Sequence, residues 1–275
     1  MKPLIPITDS HCHLPQDADA AEALILRLKS AGIDELFIGG YDPDDWQAQI
    51  ELKRTHAANV HMSFGLHPWF VHNATEKECE AAYERLERMT FPEGISPGMP
   101  VPAGIGETGL DHALARTPSE REHQAIWFKR QLELAAARAI PPVLHIVRAW
   151  GGAIKIMSGY AGPPGMVHAF SGDKSIIKQL SRMGFLMSVC PAGLASKNRP
   201  YLANIPDHLL AIESDAPTGA LPAPKRGRDQ LDPTVIFQVA EELARLRGKG
   251  ETGRELLELS SRNLRAQFKK ILSHP

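Results

Sequence analysis

The stretch Val101–Ile146, VPAGIGETGLDHALARTPSEREHQAIWFKRQLELAAARAIPPVLHI, carries the reading of the fold. Its two ends, VPAGIGE and PPVLHI, are short apolar runs that read as strands, and the segment from Pro118 to about Ala139 reads as a long helix. Two strands joined through a helix form a βαβ unit, and strands connected in this way pair in parallel.

The same alternation runs outward from this unit. KPLIPIT reads as a first strand, and DAAEALILRLKSAG as a helix closed by Gly32. ELFIGG is a second strand, with a helix from about Pro43 to Thr55 after it. VHMSFG is a third strand, followed by TEKECEAAYERLERM, where Thr75 and Glu78 form a capping box. Strands six to eight are GMVHAF, GFLMSV and HLLAIESD, with helical segments between them, and the chain closes with two helices. Eight such units predict an α/β fold, a single-domain TIM-type (β/α)8 barrel over residues 1–275. A doubly wound open sheet is the competing arrangement. The stretches FPEGISPGMPVP and APTGALPAPKRG read as surface loops rather than domain boundaries.

Composition narrows the class. With 43% hydrophobic and 23% charged residues the chain can build an ordinary globular core. A net charge of -1 gives no global positive field for nucleic acid or anionic membranes, so a nucleic-acid substrate would be held by local residues or by metal. Cys12, Cys79 and Cys190 are odd in number and far apart, a poor disulfide framework that fits a reducing compartment. With no signal-peptide pattern and no membrane-length apolar run, the expected location is the cytoplasm.

In a barrel of this kind, chemistry gathers where the strands end. Strand one ends at Asp9, His11 and His13, strand three at His67, and strand four at Glu107 and Asp111. Strand five ends at His145, strand six at His168, and strand eight at Glu213 and Asp215. Any one of these histidines alone reads as a hydrogen-bonded core residue. Five of the twelve at matching positions point instead to a metal site. Residues two apart on a strand face the same way, so His11 and His13 can reach one ion while Cys12 packs on the opposite face. Imidazoles with carboxylates suit zinc, manganese, nickel or iron better than calcium. A carboxylate among them can bridge two ions ~3.5–4 Å apart, the arrangement used to hydrolyse phosphate esters and amides.

DSHCHL, GLHP, GETGLD, VLH, VHAFSG, ESDAP and SSRNLRAQF occur in this order across nearly the whole chain, and together they resemble the TatD family of metal-dependent hydrolases. That resemblance implies two divalent ions, whether zinc, manganese or magnesium. His11, His13, Glu107 and Asp215 would hold one, and Glu107, bridging, with His145 and His168 the other. It also makes His67 a contact for the phosphate or leaving group, Asp111 and Asn263 supporting residues, and Arg148 the basic residue after strand five. The implied activity is that of a deoxyribonuclease, often a 3′→5′ exonuclease. The sequence departs from the family pattern at Ala149, at Cys190 and Pro191, and in TGALPAPKRGRDQLDP after ESDAP.

The expected mechanism uses a coordinated water, its pKa brought toward ~7, as the source of hydroxide. Asp215 serves as ligand and proton acceptor, and His67 as imidazolium or hydrogen-bond donor. Lys225, Arg226, Arg228, Arg148 and Lys174 are candidates to grip DNA phosphates, and Trp69 to stack on a base or to pack at the rim. Two other readings stand beside the phosphodiesterase: an ester or amide hydrolase on the same site, acyl-tRNA deacylation included, and a non-catalytic metal-binding protein.

Overall fold

A computed structural model describes residues 5–15, 17–56, 58–91, 101–216 and 232–268. Within them the apolar runs are strands: β1 (Thr8–Cys12), β2 (Glu35–Ile38), β3 (Val60–Phe64), β4 (Gly104–Asp111), β5 (Pro142–Val147), β6 (Met166–Val167), β7 (Leu186–Val189) and β8 (Leu210–Ile212). Each pairs in parallel with the next, in chain order. A doubly wound sheet would reverse that order at a switch point, so the competing arrangement is excluded.

The connecting helices are α1 (Ala18–Ser30), α2 (Pro43–Thr55), α3 (Pro68–Asn73), α4 (Glu76–Met89), α5 (Pro118–Arg138), α6 (Trp150–Met157) and α7 (Lys174–Met183). Two single turns, α8 (Pro191–Leu194) and α9 (Arg199–Leu202), span β7 to β8, and α10 (Val235–Arg247) and α11 (Gly253–Gln267) end the described chain. Local signals set their starts. The Thr75–Glu78 capping box opens α4 as expected, and equivalent boxes at Thr117–Glu120 and Thr252–Glu255 open α5 and α11. Helices dock on the sheet through large side chains such as Trp46 of α2, whose ring meets Phe64 of β3 at 5.8 Å, and Trp127 and Phe128 of α5. Full burial of a side chain of this size is worth roughly 1.5–3 kcal/mol.

β6 and β8 are shorter than GMVHAF and HLLAIESD suggested. At β6 the chain bends after His168 with Ala169 at φ +44°, and the Ala169 amide donates to the Glu213 carboxylate instead of a ladder carbonyl. At β8 the residues past Ile212 turn toward β1, with Asp215 at φ +51°.

The seam between β1 and β8 is closed by a mixture of bonds. Asp215 N–H donates to His11 O (3.0 Å) and His13 N–H to Ala216 O (2.7 Å). The buried Asp9 carboxylate accepts from Ser214 through both its amide (2.9 Å) and its hydroxyl (2.6 Å). From α11, Ser261 Oγ accepts the Thr8 amide and Ser260 Oγ the Ile212 amide. Asn263 Nδ2 donates to the carbonyls of Asp207 and Leu210, so the SSRN tetrapeptide anchors the seam. The N-terminal end of the barrel is plugged by Glu35, which accepts from Thr8 Oγ1 and lies against His61 and Arg265.

Candidate metal centre

Of the residues named at the strand ends, five histidines and Asp215 gather at the C-terminal mouth around Glu107. Asp111 and Glu213 stand behind His145 and His168, and Asp9 binds Ser214 in the seam instead. Its Oε1 lies 3.5 Å from His11 Nε2 and 3.5 Å from His13 Nε2. Its Oε2 lies 2.7 Å from His168 Nε2, 3.6 Å from His145 Nδ1 and 3.6 Å from His67 Nε2. Asp215 Oδ1 completes the ring, 3.8 Å from His13 Nε2 and 4.0 Å from His168 Nδ1. The two carboxylate oxygens of Glu107 thus serve different sets of histidines.

Close approach at Gly39 makes this geometry fit. The end of β2 carries two glycines and no polar side chain, and a Cβ on Gly39 would stand 2.4 Å from His11 Cε1 and 2.7 Å from Glu107 Oε1. The next carbonyl, of Gly40, accepts the Glu107 amide at 2.8 Å and fixes that residue from behind.

Electrostatics follow from burial and crowding. Burial alone would raise the Glu107 carboxyl, but His168, His11 and His67 outweigh it and hold the group well below its usual range. Burial works against a charged His168, yet the Glu107 charge raises it well above the ordinary imidazole value. His145 is also raised, its partners Asp111 and Glu107 overcoming burial. Burial lowers His13 to about 3 and lifts Asp215 to about 6.

Two outer contacts fix the orientation of the rings. Trp69 N–H donates to His67 Nδ1 at 3.0 Å, which occupies that lone pair. Burial pulls His67 down to about 4, so the ring is neutral near pH 7, with its proton on Nε2. A nitrogen carrying a proton donates rather than ligates, and of the two roles expected for His67 the donor remains. On His145, Nε2 faces Asp111 Oδ2 at 3.5 Å, leaving Nδ1 turned toward Glu107. Asp111 Oδ2 also accepts from Trp69 Nε1 at 2.7 Å, and its Oδ1 caps the following turn at Ala113 and Leu114.

The donor set fits a cation. Among the described residues, both ring nitrogens of His11, both Glu107 oxygens, His145 Nε2 and His168 Nδ1 are buried without an aligned hydrogen-bond partner. Such orphaned groups cost about 1–3 kcal/mol each unless something takes up their lone pairs. Among the described residues three sets lie close enough to share an ion: His11, Glu107 and His168; His11, His13 and Asp215; His67, Glu107 and His145. The His67 tautomer argues against the Nε2 of the third set.

Other residues singled out in the sequence fall outside this ring. Cys12 is buried in the hydrophobic core, and Cys79 and Cys190 are buried and free. Arg148 and Lys174 are exposed on the loop after β5 and at the start of α7. Lys225, Arg226 and Arg228 lie outside the described residues, as do most of the two proline- and glycine-rich loops. Among the described residues no helix is long and apolar enough to cross a membrane. The sequence reading missed Gly39, which bears no reactive group; its signal was a glycine doublet at a strand end. Glu213 stood at a strand end without a role and proves to be the acceptor for the Ala169 amide, 3.8 Å from His168 Nδ1.

Comparison with known proteins agrees with this architecture. The 3′-5′ ssDNA/RNA exonuclease TatD of Pectobacterium carotovorum is 26% identical over 261 residues, covering 90% of this chain and 93% of that one. The metal-dependent hydrolase YabD of Bacillus subtilis, itself uncharacterized, is 25% identical over 269 residues, 95% of this chain and 98% of its own. Among solved structures, the TatD homologue YjjV of Escherichia coli superposes with a TM-score of 0.78 at 24% identity, over 96% of this chain and 98% of that one, and shares the fold. The model of the TatD related DNase family matches residues 8–269, nearly the full length, and the chain belongs to that family.

Proposed function

We propose that this protein is a divalent-metal-dependent phosphodiesterase that hydrolyses single-stranded nucleic acid from an end, as a 3′→5′ exonuclease. The observation that carries the reading is Glu107, whose two oxygens face different histidine sets and so suit a carboxylate bridging two ions. The names of the relatives support nucleic acid as the substrate. His11, His13 and Asp215 would hold one ion and His145 and His168 the other, with Glu107 common to both. This nitrogen-rich set favours zinc or manganese, with magnesium the third candidate. When bound, the ions would lower the pKa of water and polarise the phosphoryl group.

The residues of the chain do the remainder. Asp215, partly exposed and lifted to about 6, takes the proton of the attacking water. His67 donates its Nε2 proton as a hydrogen bond to a non-bridging oxygen or to the leaving group, and Trp69 and Asp111 hold His67 and His145 at their angles. Exposed Arg148 and Lys174 lie on the same face and can steady neighbouring phosphates. The functional unit would be a single domain over 1–275, and three buried thiols without a disulfide favour a cytoplasmic location.

The test is turnover of bis(p-nitrophenyl) phosphate and of single-stranded DNA with Mg²⁺, Mn²⁺ or Zn²⁺, using Glu107→Ala as control. Loss of both activities and of bound metal in the variant is expected. Hydrolysis of a carboxyl ester with no turnover of either phosphate substrate would replace the nuclease by an ester hydrolase.

A further inference from the structure

Beside the metal centre lies a cavity of about 870 Å³, within the ~300–1,000 Å³ common for small-molecule sites. Its inner wall is Tyr41, which follows the glycine doublet of β2 and packs its ring 5.2 Å from that of His67, the two planes 31° apart. Phe70 of α3 and Ala82 of α4 give it apolar sides. Trp69, the aromatic residue the sequence offered for stacking, does not line it; its ring nitrogen is tied to Asp111 and its ring stands edge-on to His67. The lining is acid-rich. Asp42, Asp44 and Glu78 face a single cation, Arg85. Asp42 and Glu78 are engaged as helix caps, whereas Asp44 is exposed and forms no hydrogen bond through its side chain among the described residues.

This chemistry repels a phosphate and suits a flat, uncharged ring with hydrogen-bond donors. We infer that the cavity receives the nucleobase next to the scissile phosphate, against Phe70 and Tyr41, and that Asp44 favours bases with an exocyclic amino group. Cytosine presents such a donor to a carboxylate. Thymine and uracil present a single ring N–H flanked by two carbonyl oxygens, which the carboxylate repels. The inference rests on the nuclease reading for its substrate, yet binding can be measured without turnover.

The test compares dCMP with dTMP by calorimetry on the Mn²⁺-loaded protein, and oligo(dC) with oligo(dT) as cleavage substrates. Wild type should prefer cytosine by about three- to tenfold, as expected for one hydrogen bond to a charged group at a partly exposed site. Asp44→Asn should bring that ratio within about twofold. Phe70→Leu, which keeps apolar volume and loses the ring, should weaken both nucleotides by about five- to fiftyfold. If wild type cleaves both oligonucleotides and neither variant alters KM or base preference, the cavity is not a base site and the nuclease reading stands. If no oligonucleotide is cleaved but dCMP binds with dependence on Asp44, the base site stands and the nuclease reading falls. If wild type neither binds nor cleaves, both are wrong.

Discussion

Gly39→Ala tests the packing logic of the metal centre with the smallest available change. The glycine has an ordinary backbone angle, so alanine introduces no conformational strain, and the effect is steric. The new Cβ would lie 2.4 Å from His11 Cε1, whereas ordinary contact begins at 3.4 Å, so something must move by 1.0 Å. His11 has nowhere to go: it is fully buried and stacked 4.2 Å from His168. Glu107, 2.7 Å from the same Cβ, is surrounded by five imidazoles. Overpacking of this kind costs about 1–3 kcal/mol, which for a chain of this size is a fall in Tm of roughly 2–10 °C. Misplacing a ligand by about 1 Å should weaken metal binding some 10–100-fold and lower kcat/KM by about 10²-fold. Gly151→Ala on α6, where an added Cβ meets nothing within 4 Å, is the control and should leave both unchanged. Calorimetric metal titration and thermal unfolding read the two effects. A folded Gly39→Ala protein that binds metal within twofold of wild type would refute the reasoning.

Asp111→Asn removes the charge that faces His145 Nε2 and accepts from Trp69, and should weaken one ion about 10–100-fold while sparing the other, giving a biphasic titration. Two unchanged binding steps would count against the brace. His67→Gln should retain metal, since Nε2 acts as a donor, but lower kcat about 10²–10³-fold. The kcat profile of the wild type should carry no inflection from His67 between pH 5 and 8, because its pKa is about 4; an inflection in that window that vanishes in His67→Gln would contradict the assignment. Asp45 is a half-buried carboxylate lifted to about 7 by loss of solvent around it, accepting from the Tyr41 amide and from Gln49. A raised acid pKa means that the folded state holds the proton more tightly, so stability falls as pH rises from about 4 to about 7, by at most about 1.4 kcal/mol per unit. Asp45→Asn should flatten that part of the stability curve in urea titrations; an unaltered slope would exclude Asp45 as its source.

Much of this was legible because a parallel barrel imposes one rule: strand ends converge. His11, His13, His67, Glu107, His145, His168 and Asp215 could be collected from the sequence by that rule alone, and the capping box at Thr75 gave the start of α4. What escaped were roles that exist only in three dimensions. Gly39 matters through the absence of an atom, and a search for polar strand ends passes over it. β6 looked longer because Ala169 carries no sign in one dimension that its amide is claimed by a carboxylate 44 residues later. The tautomer of His67 likewise depended on a backbone amide, that of Trp69, which a reading of side chains does not weigh.

The seam between β1 and β8 has a consequence for when activity begins. His11 and His13 come from the first strand and Asp215 from the segment after the last, and the Asp9–Ser214 bond that aligns them spans 205 residues. Loop closure over such a distance comes late in folding. A chain still lacking β8 has no seam and lacks Asp215, although the other five proposed ligands are already present. The complete set is therefore assembled only when the segment after β8 has joined β1. For the proposed hydrolase, full activity would then begin only after that closure, because Asp215 is the one proposed ligand that arrives with it.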